Sequence, residues 1–230
     1  IEKSALENVN LTIEQGEIIG LVGANGAGKT TLVKVLSGII YATSGDVSVL
    51  GFDPWKRHND YRKKLSLIMG QKAQLWWDLP AYDSFLLLKE IYEIPQKRFQ
   101  ENINKLSTQL DIADQLKVPV RKLSLGERMK TELMAALLHD PQVIFLDEPT
   151  IGLDIMSQKA VRNFIQEYRK EHKPIIILTS HYMEDIEELC PRLALIKDGK
   201  IIYDGSLENI TNNFAQYKSL EVDFSSEDED

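Results

Sequence analysis

A chain of 230 residues with 43% hydrophobic residues has room for one large domain or two small ones around a substantial core. Its formal net charge of -8 argues against a general nucleic-acid binder, because phosphate backbones select basic surfaces. The single cysteine, Cys190, excludes an internal disulfide, and no apolar run approaches the roughly 20 residues that cross a bilayer, so a membrane role would come through a partner.

The chain opens with Ile1 rather than Met, as expected of a piece of a longer chain. Val9, Leu11 and Ile13 alternate with polar residues, the pattern of a half-buried strand. Glu14-Gln15-Gly16-Glu17 reads as a turn into a second strand, Ile18 to Val22, whose nearly continuous apolar run suits burial on both faces. There follows Gly23-Ala24-Asn25-Gly26-Ala27-Gly28-Lys29-Thr30-Thr31, which fits G-x-x-x-x-G-K-[ST] between a strand and a helical pattern of Leu32, Val33, Val35 and Leu36. Glycines let successive backbone N–H groups of such a loop face one concavity, and the helix adds its positive end. The concavity is therefore expected to cradle a polyphosphate. Lys29 would reach the β- and γ-phosphates, the Thr30 hydroxyl would ligate Mg²⁺, and Thr31 would support the phosphates from the first turn. A Gly at 38 suits the end of that helix.

Further strands are expected at Gly45 to Gly51 and Leu65 to Met69. From Gln71 to about Asp140 the pattern becomes helical, with helices over Ser84 to Tyr92, Gln96 to Leu110 and Glu127 to Leu138 and Pro80, Pro95 and Pro119 at their boundaries. Trp76 and Trp77 stand side by side in loop-like sequence. Adjacent residues cannot both face one core, so they are either partly exposed at an interface or anchors on two sides of the helical segment. Val143-Ile144-Phe145-Leu146 then runs into Asp147-Glu148. Four buried-type residues ending in two carboxylates describe a parallel strand whose acidic end emerges where ligands bind in open α/β folds. Asp147 would hold the Mg²⁺ shell and Glu148 would orient or deprotonate an attacking water. A helix over Ile155 to Lys170, a buried strand over Ile175 to Thr179 that delivers Ser180-His181 to the same edge, and a hairpin about Asp198-Gly199 follow. Cys190 reads as a small buried apolar residue, and His58, His139 and His172 as surface or structural. Past Thr211 the pattern weakens into an acidic tail.

This combination resembles the ATP-binding domain of the ABC ATPases from Ala5 to Ile210. Beside the phosphate loop and the acidic strand stand Gln71, Leu123-Ser124-Leu125-Gly126-Glu127, Ile151-Gly152-Leu153-Asp154 and Ser180-His181, in the order and spacing of that family. The resemblance implies an α/β P-loop NTPase fold, with a RecA-like, mostly parallel sheet, a small antiparallel β subdomain and an inserted helical subdomain. It implies a nucleotide-binding core of 1–70 and 141–210, a helical subdomain of 71–140 and an extension of 211–230. Gly23, Asn25, Gly26, Gly28, Lys29, Thr30 and Thr31 would bind ATP, and Thr30, Gln71 and Asp147 would hold Mg²⁺. Glu148, His181 and Gln71 would be catalytic. Ser124, Gly126 and Asp154 would act on the ATP of a second protomer in a head-to-tail homodimer.

Ser124 to Glu127 is also a capping box, and the two readings are compatible. Leu125 and Glu127 depart from the family's commonest Gly and Gln, which weakens the expected contact in trans. Ile1 to Leu6 supplies no aromatic for adenine, whose stacking residue is expected before Ile1. The Gln-Leu-Trp-Trp-Asp-Leu-Pro stretch looks closest to ABC-2 exporters, implying an integral membrane permease as partner, with Trp76, Trp77, Tyr82 and Phe85 as the contacting surface. It implies a cytoplasmic location at the inner face of the cell membrane. The alternative is a soluble ABC ATPase acting on the ribosome or DNA. A small-molecule kinase would leave the signature, Asp154 and His181 unexplained.

Overall fold

Apolar alternation with polar ends organises the structure, a computed structural model that describes residues 4–70 and 73–214, with only the backbone of 211–214. In chain order the elements are β1 (Ile18–Val22), α1 (Lys29–Leu36), α2 (Asn59–Arg62), β2 (Leu65–Met69), α3 (Ala81–Ile91), α4 (Gln96–Gln109), α5 (Leu125–Leu137), β3 (Val143–Asp147), α6 (Ile155–His172), β4 (Ile175–Thr179), α7 (Met183–Leu189), β5 (Arg192–Lys197), β6 (Lys200–Ser206) and α8 (Leu207–Phe214). The strands form one sheet in the order β2-β3-β4-β1-β5-β6. All neighbours are parallel except β5 and β6, the expected hairpin.

Strand periodicity divides the core between the two faces of this sheet. Ile144, Leu146, Ile176 and Leu178 join α5, α6 and α7 on one side, while Val143, Phe145, Ile175 and Ile177 join Leu32 and Val33 of α1 on the other. The α7 side packs closely on Gly20 in mid-strand, where a Cβ would lie 3.0 Å from Ile186 Cδ1. Cys190 caps that contact as an apolar residue, and burial pushes its thiol up to about 12. The helices α3 to α5 continue the same cluster through Phe85, Phe99, Ile103 and Leu133. Backbone bonds from Val120 to the Leu79 carbonyl and from Arg121 to the Trp77 carbonyl close this helical segment at its base.

Two expected strands are absent. Val9, Leu11 and Ile13 are half-buried on the α1 side of the sheet, as their alternation requires, but their backbone joins no ladder. Residues 45–51 contain only a tight turn, in which Val49 and Phe52 exchange both of their backbone hydrogen bonds at 2.9 Å. Alternation reports one-sided burial; a strand also needs a neighbouring row of backbone donors and acceptors. The antiparallel part of the described fold is thus the β5–β6 pair.

Candidate functional site

Register brings the ends of the parallel strands to one edge: Met69 pairs with Asp147, Asp147 with Thr179, and Leu21 with Thr179. From β1 the chain enters the glycine loop. Gly28 is the N-cap of α1 at φ 115, with no side-chain capping bond, so the first-turn N–H groups carry no cap from the chain's own side chains. Asn25 and Gly26 are exposed at the loop's tip, and Thr31 is half-buried. Lys29 is buried and folds back over the loop, donating from Nζ to the Gly23 and Ala24 carbonyls at 2.7 and 3.1 Å.

Across the edge stands Asp147, its carboxylate between two hydroxyls. Thr179 donates to Oδ1 at 2.5 Å, and Thr30 Oγ1 lies 3.3 and 3.4 Å from the two carboxylate oxygens. Thr30 and Asp147 are an oxygen-only donor pair beside the glycine loop, which suits a hard divalent ion such as Mg²⁺. Among the described residues no group of three or more His, Cys, Asp or Glu could hold a metal by itself. An ion here would complete its shell with other oxygens.

Glu148 follows in the left-handed region at φ 57, and its Oε1 lies 2.6 Å from His181 Nε2. Gly70 directly follows β2, and a Cβ on it would meet the Glu148 carbonyl at 2.1 Å. Gly70 precedes Gln71, which lies outside the described residues.

Ser124, Gly126 and Asp154 form a second group. Ser124 caps α5, and the expected capping box is present: Glu127 N donates to Ser124 Oγ at 3.2 Å, while Glu127 Oε2 accepts from Ser124 N at 2.9 Å and from the Ser124 hydroxyl at 2.8 Å. Those bonds hold the Glu127 carboxyl below the usual range. A Cβ on Gly126 would lie 2.4 Å from Ser157 Oγ. Ser157 in turn donates its N–H and hydroxyl to Asp154, at 3.0 and 2.6 Å, and these bonds lower the Asp154 pKa. The start of α5 and Asp154 are therefore joined within one chain through Ser157.

Sequence reasoning passed over Thr179, Gly70 and Ser157. Only Ser157 carried a local signal, since D-x-x-S is N-cap spacing. One expected surface residue is corrected: Phe85 is fully buried, whereas Trp76 and Trp77 are 49% and 48% exposed and Tyr82 is half-buried. Helix phase explains the difference, because Ala81, Ser84 and Phe85 face inward and Leu86 and Leu87 outward. The Arg128 guanidinium sits 5.4 Å from the Trp77 ring centre.

Comparison with known proteins bears on the family and the fold. A family model described as "ABC transporter" matches residues 6–151. The chain is 34% identical over 206 residues to the "ABC transporter ATP-binding protein NatA" of Bacillus subtilis, covering 90% of this chain and 83% of that protein. It is 34% identical over 218 residues to the "Lantibiotic transport ATP-binding protein SrtF" of Streptococcus pyogenes, covering 92% and 91%. Among solved structures, an ATP-binding subunit of an ABC transporter superposes with a TM-score of 0.82 at 24% identity, over 92% of this chain and 87% of that one. A dimeric post-hydrolysis ATP-binding cassette with ADP and Pi gives 0.78 at 22%, over 88% and 90%.

Proposed function

This chain belongs to the ABC transporter family as an ATP-binding, ATP-hydrolysing subunit, and from there we propose that it drives export through a membrane permease, working as a head-to-tail pair of identical protomers. The observation that carries the catalytic part is the contact of Glu148 with His181 at the edge where the glycine loop, Thr30 and Asp147 converge. On ATP binding, Lys29 exchanges the Gly23 and Ala24 carbonyls for β- and γ-phosphate oxygens, and the first-turn N–H groups of α1 donate to the same phosphates. Thr30, Asp147 and Gln71 would hold Mg²⁺, which neutralises charge on the phosphate oxygens. Glu148 takes the proton of the attacking water, while His181 steadies that carboxylate and faces the terminal phosphate.

In the pair, Ser124 and the N–H of Gly126 address the ATP held by the other protomer, and Asp154 lies along the shared face. Binding of ATP closes the pair and loss of the γ-phosphate reopens it. The core of 1–70 and 141–210 binds the nucleotide, the helices of 71–140 transmit the motion, and 211–230 is an appended extension. No helix among the described residues is long and apolar enough to cross a membrane. The subunit would sit at the inner face of the membrane through its permease, against the exposed Trp76, Trp77, Leu86 and Leu87.

Two measurements test this reading. Affinity purification of the full-length protein from detergent-solubilised cells with ATP should recover a multi-spanning membrane protein; recovery of ribosomes or DNA-repair proteins instead would overturn the transport assignment. Glu148→Gln should lower turnover by roughly 10²- to 10⁴-fold while retaining ATP. Near-normal turnover would remove Glu148 as the base.

A further inference from the structure

Behind the Glu148–His181 pair lies a carboxylate that the chemistry above leaves unused. Asp185, in the first turn of α7, is 0% exposed. Side chains from three other parts of the chain converge on it. Its Oδ2 accepts the hydroxyl of Thr150, from the turn after β3, and at 2.6 Å the hydroxyl of Ser180, from the turn after β4. Its Oδ1 accepts Nη1 of Arg162, from α6, at 3.0 Å. All three donors are themselves buried. The network extends one step outward, with Tyr182 N donating to Ser180 Oγ at 3.0 Å and Arg162 Nε donating to Glu188 at 2.8 Å.

Stability alone is a poor reason for such a site. Desolvating a carboxylate and a guanidinium consumes most of their attraction, and an apolar replacement of equal volume holds a fold as well or better. What the carboxylate does supply is direction. Arg162 compensates its charge, and each hydroxyl must then point at Oδ2 to avoid leaving a buried lone pair unsatisfied. Two separate turns are thereby tied to one atom.

Those turns carry the reacting pair. Glu148 lies two residues before Thr150, and His181 directly follows Ser180. Glu148 also sits at φ 57, a strained conformation for a non-glycine residue that persists only where its surroundings hold it. We propose that Asp185 is a positioning residue for ATP hydrolysis, which through Thr150 and Ser180 sets the two turns so that Glu148 and His181 meet beside the terminal phosphate. The inference rests on the catalytic reading of that pair.

Steady-state ATP hydrolysis and fluorescent trinitrophenyl-ATP binding by the full-length protein decide the matter for Asp185→Asn, His181→Ala and the double variant. Asp185→Asn should lower kcat by about 10- to 100-fold, the scale of an ångström of misplacement, with nucleotide affinity held within about threefold. On the His181→Ala background it should lower kcat by less than about twofold further, because coupled residues are not additive. Multiplicative losses would show a role independent of His181 and overturn the proposal, as would an unchanged kcat for Asp185→Asn where His181→Ala is impaired. An unimpaired His181→Ala would instead overturn the reading of the pair itself. Should Asp185→Asn fail to fold by circular dichroism, Ser180→Ala and Thr150→Val each remove one tether and keep the Arg162 pair; normal kcat in both folded variants refutes the proposal, and losses smaller together than their product support it.

Discussion

α1 and α5 both begin at glycine-bearing turns expected to meet a phosphate, yet their first turns are finished in opposite ways. α1 starts at a left-handed glycine, with no side-chain cap, no acidic residue in its first turn and a buried lysine. α5 starts at Ser124, whose hydroxyl and backbone N–H are both bonded to Glu127 of the same turn. The leading N–H groups of any helix need partners. α1 leaves that need to a ligand, so it is a receptor built in advance. α5 meets part of it internally, so in the proposed pair a phosphate from the other protomer would compete with Glu127 for the Ser124 hydroxyl. Under the proposed pairing, one chain would offer a strong site for its own nucleotide and a conditional one for its partner's.

The largest effect should come from closing the first of these. Gly28→Ala would place a Cβ 2.8 Å from Leu6 and 2.9 Å from the Ala5 carbonyl, at a φ of +115 that alanine rarely adopts. Strain of about 1–3 kcal/mol would be relieved only by deforming the loop, so nucleotide affinity should fall roughly tenfold to a hundredfold in a fluorescent titration. Gly126→Ala would crowd Ser157, at 2.4 Å from Oγ and 3.0 Å from Cβ, away from the glycine loop, and should spare nucleotide binding by the monomer. Equal losses in the two variants would erase the distinction between the helices.

A smaller effect should come from opening the second. Glu127→Gln keeps an acceptor for the Ser124 N–H but removes a negative charge beside the approaching phosphate. Such a charge is worth about 0.3–1 kcal/mol at a helix start, so the ATP concentration that half-saturates dimerisation should fall about two- to fivefold by light scattering. The Glu148→Gln background keeps ATP unhydrolysed during the titration. An unchanged midpoint would mean that the hydroxyl bond, rather than the charge, restrains α5.

The two helices also differ in what could be read before the fold was known. The loop before α1 couples a pattern to a strand on one side and a helix on the other, and Ser124 with Glu127 has the spacing of a cap, so both were legible from neighbours in sequence. Contacts between distant turns were not. Thr150 and Asp185 lie 35 residues apart, and Thr179 reaches Asp147 across 32, so no local pattern announces either. Phe85 was misplaced for a different reason. Phe85, Leu86, Leu87 and Leu88 form a continuous apolar run, which shows a helix without showing its phase. The strand expected at Val9 to Ile13 failed in the opposite sense, since its burial was correct and its backbone partner missing.

The finest test turns on a second carboxylate of α5. Glu132 is 5% exposed; its Oε1 accepts from Gln74 N at 2.9 Å and Leu75 N at 3.3 Å, and burial raises its pKa. A carboxyl raised in the folded state binds its proton more tightly there than in the unfolded chain. Its stabilising contribution is therefore complete below the ordinary carboxylate pKa and is lost as pH rises through the folded value. Glu132→Gln keeps the acceptor without the charge, so its Tm relative to the wild type should climb by roughly a few degrees as pH is raised from acid to neutral. Glu127, lowered by its cap, has the opposite sign: its contribution is present at neutral pH and is lost as pH falls, so Glu127→Gln should be least stable relative to wild type at neutral pH and recover toward acid. Differential scanning fluorimetry across that range separates the two. Profiles that run in the same direction would show that α5 does not hold its first turn and its centre by carboxylates of contrasting environment, and α5 would then differ from α1 only in its cap.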